Sequence, residues 1–208
     1  MAGLLSNFRN TIILSLVLAG VMIYCFGANA PGRFDGLFWQ AVFRWMHIGF
    51  GILWIGLLYY FNFVQIRVMP DIPAELKPAV SKHIAPEALF WFRWAAFATV
   101  LAGLGLLLLR GHGYAVEVLS FGLAGGYTPA SDGGFALMGV GVYLALIMFL
   151  NVWGVIWPNQ KIALGIKPAP SDDAKAKAAK MAMLASRTNL LLSLPMLTAM
   201  AMYQTLFG

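Results

Sequence analysis

Residues 43–65 read FRWMHIGFGILWIGLLYYFNFVQ. Most of this stretch is apolar enough to lie in lipid, yet it holds an arginine, an imidazole and two carboxamides. At 100° per residue, His47, Gly51, Trp54, Asn62 and Gln65 fall along one stripe of a helix. Imidazoles and amides are costly in hydrocarbon, so that stripe must face protein or a cofactor. A neutral imidazole below the outer surface can ligate haem iron, bond a quinone or bond a backbone carbonyl. Arg44 stands one turn outward of His47, and Arg110 closes the outer end of the third apolar run; both suit the propionates of haem b. Gly49, Gly51 and Gly56 let a helix or a flat cofactor approach the backbone closely.

A six-coordinate iron needs a second ligand. His112 lies on the same side but just beyond its helix, and Met138 enters the fourth run at a better depth. The candidate cofactor contacts are therefore His47 (as haem-iron ligand), Arg44, Gly51, Trp54, Arg110, His112 and Met138, with a quinone as the alternative occupant. His47 is placed one to two turns below the outer surface. Asn62, Gln65 and Asn151 read as interhelical glue near the inner surface. Trp91, Trp94, Trp153, Trp157, Tyr59 and Tyr60 read as an aromatic belt there. A quinone pocket built on Asn62, Asn151 or Arg93 is the competing reading, with Arg93 otherwise snorkelling towards phosphates or lying against Trp94. His83 falls on the inner side and reads as a surface histidine. No catalytic residue is assigned.

The elements that carry these residues are long apolar segments. The 208 residues are 61% hydrophobic and 11% charged, with mean hydropathy +0.77, against about 25% charged in soluble domains. This composition marks an all-α integral membrane protein in one domain, 1–208. Five runs reach spanning length: 9–28, 41–66, 87–109, 134–157 and 188–207. Helices two to five form a four-helix bundle, and Pro195 kinks the last. The stretch 114–130, interrupted by Gly125, Gly126 and Pro129, reads as extramembrane or interfacial. The first run reads as an uncleaved helix rather than a signal peptide.

Net charge is +6. The basic residues sit in loops between apolar runs, so they set orientation rather than bind nucleic acid. With the N-terminus in the cytoplasm, Arg9, Arg67, Lys77, Lys82 and the 161–187 cluster fall inside, whereas Arg33, Arg44 and Arg110 fall outside. The C-terminus is then periplasmic. Ser171 suits an N-cap, with Asp172 and Asp173 in the first turn of a cytoplasmic helix that runs on into the fifth span. Pro86 suits the first turn of the third span. A faint repeat links YFNFVQIRVMP at the end of helix two with FLNVWGVIWPNQ at the end of helix four, making helices 2–3 and 4–5 a pseudo-twofold pair.

Some chemistry is disfavoured. No span carries Asp or Glu in its middle, which argues against a proton-coupled transporter built on intramembrane carboxylates, though not against a passive pore. Cys25 alone makes no intrachain disulfide, zinc site or c-type haem motif. There is no phosphate loop, dinucleotide fingerprint or nucleophile elbow.

The segments MHIGFGILWIGLLYYFNFVQIRVMP, AELKPAVSKHIAPEALFWFRWAAFATVLAGL, IMFLNVWGVIWPNQKIALG and MLASRTNLLLSLPM resemble the membrane domain of bacterial membrane-bound urate hydroxylases, the cytochrome-c-type urate oxidases, over roughly 43–200. The resemblance implies a bacterial inner-membrane protein tied to urate oxidation, with electrons leaving through a c-type cytochrome. The 208 residues contain no C-x-x-C-H, so either a separate c-type cytochrome is the expected partner or the family name describes only the membrane scaffold. One helix also resembles the small haem-associated membrane protoporphyrinogen oxidases, through Arg44, His47, Trp54, Gly56 and Tyr59; the offsets of the last two differ, and the following Pro-Arg element is absent. The leading expectation is a haem-b membrane redox protein. A non-enzymatic scaffold or accessory subunit in a homo- or hetero-oligomer, and a small-solute permeation protein, are the alternatives.

Overall fold

Every long element is a helix in the computed structural model, which describes residues 2–125 and 133–207; Gly126 and Pro129 lie outside these. No strand occurs among the described residues. After a turn of helix at Ala2–Leu5, α1 runs over Phe8–Asn29, with the Asn7 side chain accepting from the Asn10 N–H at 3.3 Å. Helix α2 covers Gly36–Asp71 and α3 covers Lys77–Leu109. A short helix, α4, follows over His112–Leu119, then α5 over Gly133–Ala163 and α6 over Asp172–Leu206.

Helices α1, α2, α3 and α5 are each long and apolar enough to cross a membrane, and the protein is an all-α membrane protein. The fifth expected span, 188–207, is the second half of α6, where Asn189, Ser193 and Thr198 dilute the apolar run. It runs along α5, and Asn189 and Ser193 are fully buried. As expected, Ser171 caps α6, its hydroxyl accepting from the Ala174 N–H at 3.2 Å; Pro195, the expected kink position, lies inside the helix, which continues to Leu206.

Helices α2 and α3 pack along their lengths, as do α5 and α6. The two pairs close on a core built from Trp54, Leu58, Phe92, Met148, Ile156 and Met196. Helix α1 stands outside and buries only Gly27, beneath Phe34 and Phe38. The end of the bundle holding Gly36, Leu109 and Tyr203 is termed upper; the end holding Asp71, Lys77 and Ala163 is termed lower.

Two helices begin earlier than the apolar runs suggest. Helix α2 starts at Gly36 rather than 41, because Asp35 caps it by accepting from the Phe38 N–H at 2.9 Å. Helix α3 starts at Lys77 rather than 87, and Pro86 lies inside it rather than opening it. Proline has no N–H to give the preceding turn. A π segment over Val80–Ile84, which widens the turn by one residue, comes directly before it. The same device precedes Pro158, at Val152–Ile156, and occupies Tyr60–Gln65 in α2 ahead of Pro70. The sequence repeat thus has a structural counterpart: Asn62 and Asn151 stand at matching π segments on the first helix of each pair.

Candidate functional site

A cleft of about 620 Å³ opens between α2, α3, α5 and α6 in the upper part of the bundle. Its walls are almost wholly apolar because the facing positions are Ile, Leu, Val, Ala and Gly. The few polar groups are therefore conspicuous. Arg44, His47, Gly51 and Trp54 from α2, Arg110 from the end of α3 and Met138 from α5 all line it. Six of the seven cofactor contacts expected from sequence are thus brought to one cavity.

His112 is not among them. It is exposed at the start of α4 and does not line the cleft. Gly111, with φ +108°, a conformation that favours glycine, turns the chain so that Tyr114 rather than His112 reaches the cavity. The expectation of His112 as a second ligand is corrected on this ground.

His47 reaches across to α3: its Nδ1 lies 2.8 Å from the backbone carbonyl of Thr99. At 1.5 Å per residue, Thr99 is about 15 Å down α3 from Leu109. The carbonyl is available because Thr99 sits in the tight contact between α2 and α3. A carbonyl can only accept, so Nδ1 carries the proton and Nε2 of the neutral ring carries the free lone pair. Nε2 has no hydrogen-bond partner among the described residues. The ring lies against Gly103, where a Cβ would come within 2.9 Å of Cε1 and Nδ1. Gly105 likewise makes room for Phe43.

Trp54 is 1% exposed, and its Nε1 is buried without a partner. Met138 packs near Leu107, eight residues above Thr99 on α3, or about 12 Å. Two further thioethers, Met196 and Met200, line the cleft from α6. Arg110 is engaged at the upper rim: its Nη1 donates to the Tyr114 hydroxyl at 2.7 Å and to the Tyr203 hydroxyl at 3.2 Å, while Tyr114 donates to Tyr203 at 2.7 Å. Burial, and then the bond to Tyr203, push the Tyr114 phenol up to about 12, against the opposing pull of Arg110.

Asn62 and Asn151 behave as interhelical groups, whereas Gln65 makes no such bond among the described residues. Asn62 donates to the Leu58 carbonyl and to Ser186 Oγ on α6, both at 2.9 Å. Asn151 donates to the Ala185 carbonyl at 2.9 Å and to Asn189 Oδ1 at 2.8 Å, and Asn189 donates to the Met148 carbonyl at 3.0 Å. Gln65 Oε1 is buried and unpaired. Arg93 stacks on Trp157, with Cζ 3.4 Å from the ring centroid, and not on Trp94. His83 is exposed, as its position suggested.

Sequence reasoning missed Thr99, Gly103, Met200, Tyr114, Tyr203 and Asn189. Asn189 carried a visible signal, an amide inside an apolar run with Ser193 one turn on. Thr99 contributes through its carbonyl, which any residue there could supply, so no side-chain pattern marks it.

Comparisons with protein-family models, with curated proteins and with solved structures return no match.

Proposed function

We propose that the cleft holds haem b and that the chain is a membrane redox protein. The observation that carries this reading is the His47 imidazole: Nδ1 is committed to Thr99 and Nε2 has no protein partner on the wall of an apolar cavity. Metal-ligating histidines characteristically donate their other ring N–H in this way, which fixes the tautomer and raises the basicity of the free nitrogen. The volume falls within the range of about 300–1,000 Å³ typical of cofactor sites. Arg44, one helical turn above His47, and Arg110 at the rim suit carboxylate groups. Met196 and Met200 offer soft donors on the facing wall, whereas Met138, about 12 Å above the Thr99 level, is too high to share an iron with His47.

Bound there, haem b supplies one-electron transfer. The chain's own residues do the rest. Thr99 holds the imidazole, Gly103 leaves room for that ring, and the aliphatic walls exclude water. The resemblance to urate-hydroxylase membrane domains supports placement in a bacterial inner membrane. The distribution of basic residues supports a cytoplasmic N-terminus, so that the upper end is periplasmic and electrons leave to a separate c-type cytochrome there. The deciding measurement is the absorption spectrum of the purified protein, oxidised and reduced. A Soret band that His47→Ala abolishes is expected; no band after haem reconstitution would sink the reading.

A second reading rests on Trp54. A buried indole N–H without an acceptor is costly, and a quinone carbonyl in the cleft would satisfy it. Ubiquinone or menaquinone retained on purification, and lost in Trp54→Phe while the spectrum shows no haem, favours this occupant.

A further inference from the structure

The lower end of the bundle carries a positive charge that the cleft does not use. Arg93 lies about 24 Å along α3 from Lys77, at the level of Trp157 near the lower end of α5, and is only 8% exposed. Its guanidinium is stacked 3.4 Å from the centroid of the Trp157 ring, and its Nη1 is buried without a hydrogen-bond partner. No carboxylate pairs with it among the described residues. Lys161, one turn beyond Trp157 on α5, brings its ammonium within 5.4 Å of the same ring. Gln160 is three residues on from Trp157 and neighbours it on the helix surface. Its Oε1 is also buried and unpaired.

Two cations thus share one indole, with no counter-charge among the described residues. Stacking on an aromatic face returns far less than removing a guanidinium from water costs, so the missing negative charge must come from outside the polypeptide. We infer that Arg93 and Lys161, set around Trp157, form a phosphate-binding site at the lower end of the bundle. A guanidinium supplies a planar fork of donors for phosphate oxygens, and a lysine adds a mobile point charge. The orphan Gln160 oxygen calls for a donor, which a monoprotonated phosphate or a glycerol headgroup hydroxyl provides. The phosphate is either that of an anionic phospholipid or a dissolved ion. Both reach the lower membrane boundary, where Lys161 lies.

The test uses the full chain in nanodiscs of phosphatidylcholine, with and without phosphatidylglycerol. Inorganic phosphate is titrated onto the pure phosphatidylcholine sample. Lipid retained after detergent extraction is counted by native mass spectrometry. Binding is followed as the tryptophan fluorescence change that Trp157→Phe removes. The wild type is expected to retain phosphatidylglycerol over phosphatidylcholine, or to respond to inorganic phosphate. The first outcome identifies a lipid headgroup and the second a dissolved ion. Arg93→Gln should weaken the preferred ligand by about tenfold or more, Arg93→Lys should restore part of it, and Lys161→Gln should weaken it less. Where Arg93→Gln does not fold, the more peripheral Lys161→Gln decides. Equal retention of the two lipids by wild type and variants, with no phosphate response at Trp157, overturns the site.

Discussion

Gly103 backs directly onto the imidazole of His47: a methyl group on its Cα would stand 2.9 Å from both Cε1 and Nδ1. The same ring is held from its edge by the Thr99 carbonyl, 2.8 Å away. Position 103 therefore controls where Nε2 points, although it has no chemistry of its own. Gly103→Ala should push the ring off Thr99 and cost about 1–3 kcal/mol, as overpacking does. A lower melting temperature in detergent, with a shifted or lost Soret band, is the expected pair of readings. Gly49→Ala, on the same helix as His47 but with nothing within 4 Å of its Cβ, is the control and should change neither.

The Asn151–Asn189 contact should behave as one unit. Asn189 is fully buried and makes bonds in both directions, to the Met148 carbonyl and from the Asn151 amide. Asn189→Ala removes both at once and should cost about 1–2 kcal/mol, at the upper end for polar contacts between membrane helices. Adding Asn151→Ala should cost less than it does alone, because contacting residues are not additive. A thermal-unfolding double-mutant cycle measures the coupling, and strict additivity would show that the two amides act separately.

Gly154 separates the shape of a π segment from its chemistry. Nothing lies within 4 Å of a Cβ at this position. Gly154→Ala should therefore be neutral or stabilise by up to about 1 kcal/mol, the usual gain of alanine over glycine in a helix. Deleting residue 154 should also be mild, because a π segment holds one residue more than the α-helical turn it replaces. Its removal restores a regular turn and leaves Trp157 on the side of α5 that faces Arg93. Comparing the melting temperatures of the two variants checks this, and a severe loss on deletion would mean that the π geometry itself sets the register.

Tyr114 should be a late-titrating phenol. Its pKa stands at about 12, above the ordinary 10, through burial and the bond to Tyr203. Because the folded value is raised, its contribution to stability is complete below pH 10 and falls away as pH climbs through about 12. The alkaline absorbance titration of wild type minus Tyr114→Phe isolates this group. Tyr203→Phe should bring it back towards the ordinary range.

Much of this architecture is readable in the residues. Apolar runs mark the helices, and the stripe through His47 and Trp54 marks the wall of the cleft, because a 3.6-residue repeat fixes which side chains share a face. Ser171 marks the start of α6. Three things were not readable. The early start of α2 depends on Asp35 capping it outside the apolar run. The early start of α3 depends on a π segment absorbing Pro86, whereas proline ordinarily argues for a helix beginning. The exclusion of His112 depends on one positive φ at Gly111. Each is a backbone event of one or two residues, too local to alter hydropathy, yet each moves a side chain by a turn or more.

Helix α1 has almost no bundle face. Its upper end is clasped where Phe34 and Phe38 cover Gly27 and Tyr24 stacks on Phe34 at 5.8 Å, and the link beyond it runs through positive φ at Gly32, Arg33 and Phe34. Below that clasp none of its described residues is buried against the bundle. Its tilt is consequently free to follow the bilayer. A thicker membrane draws α1 upright and a thinner one lays it over, while the four packed helices keep their angles. In a protein whose other spans are locked together, α1 is the part that reports membrane thickness.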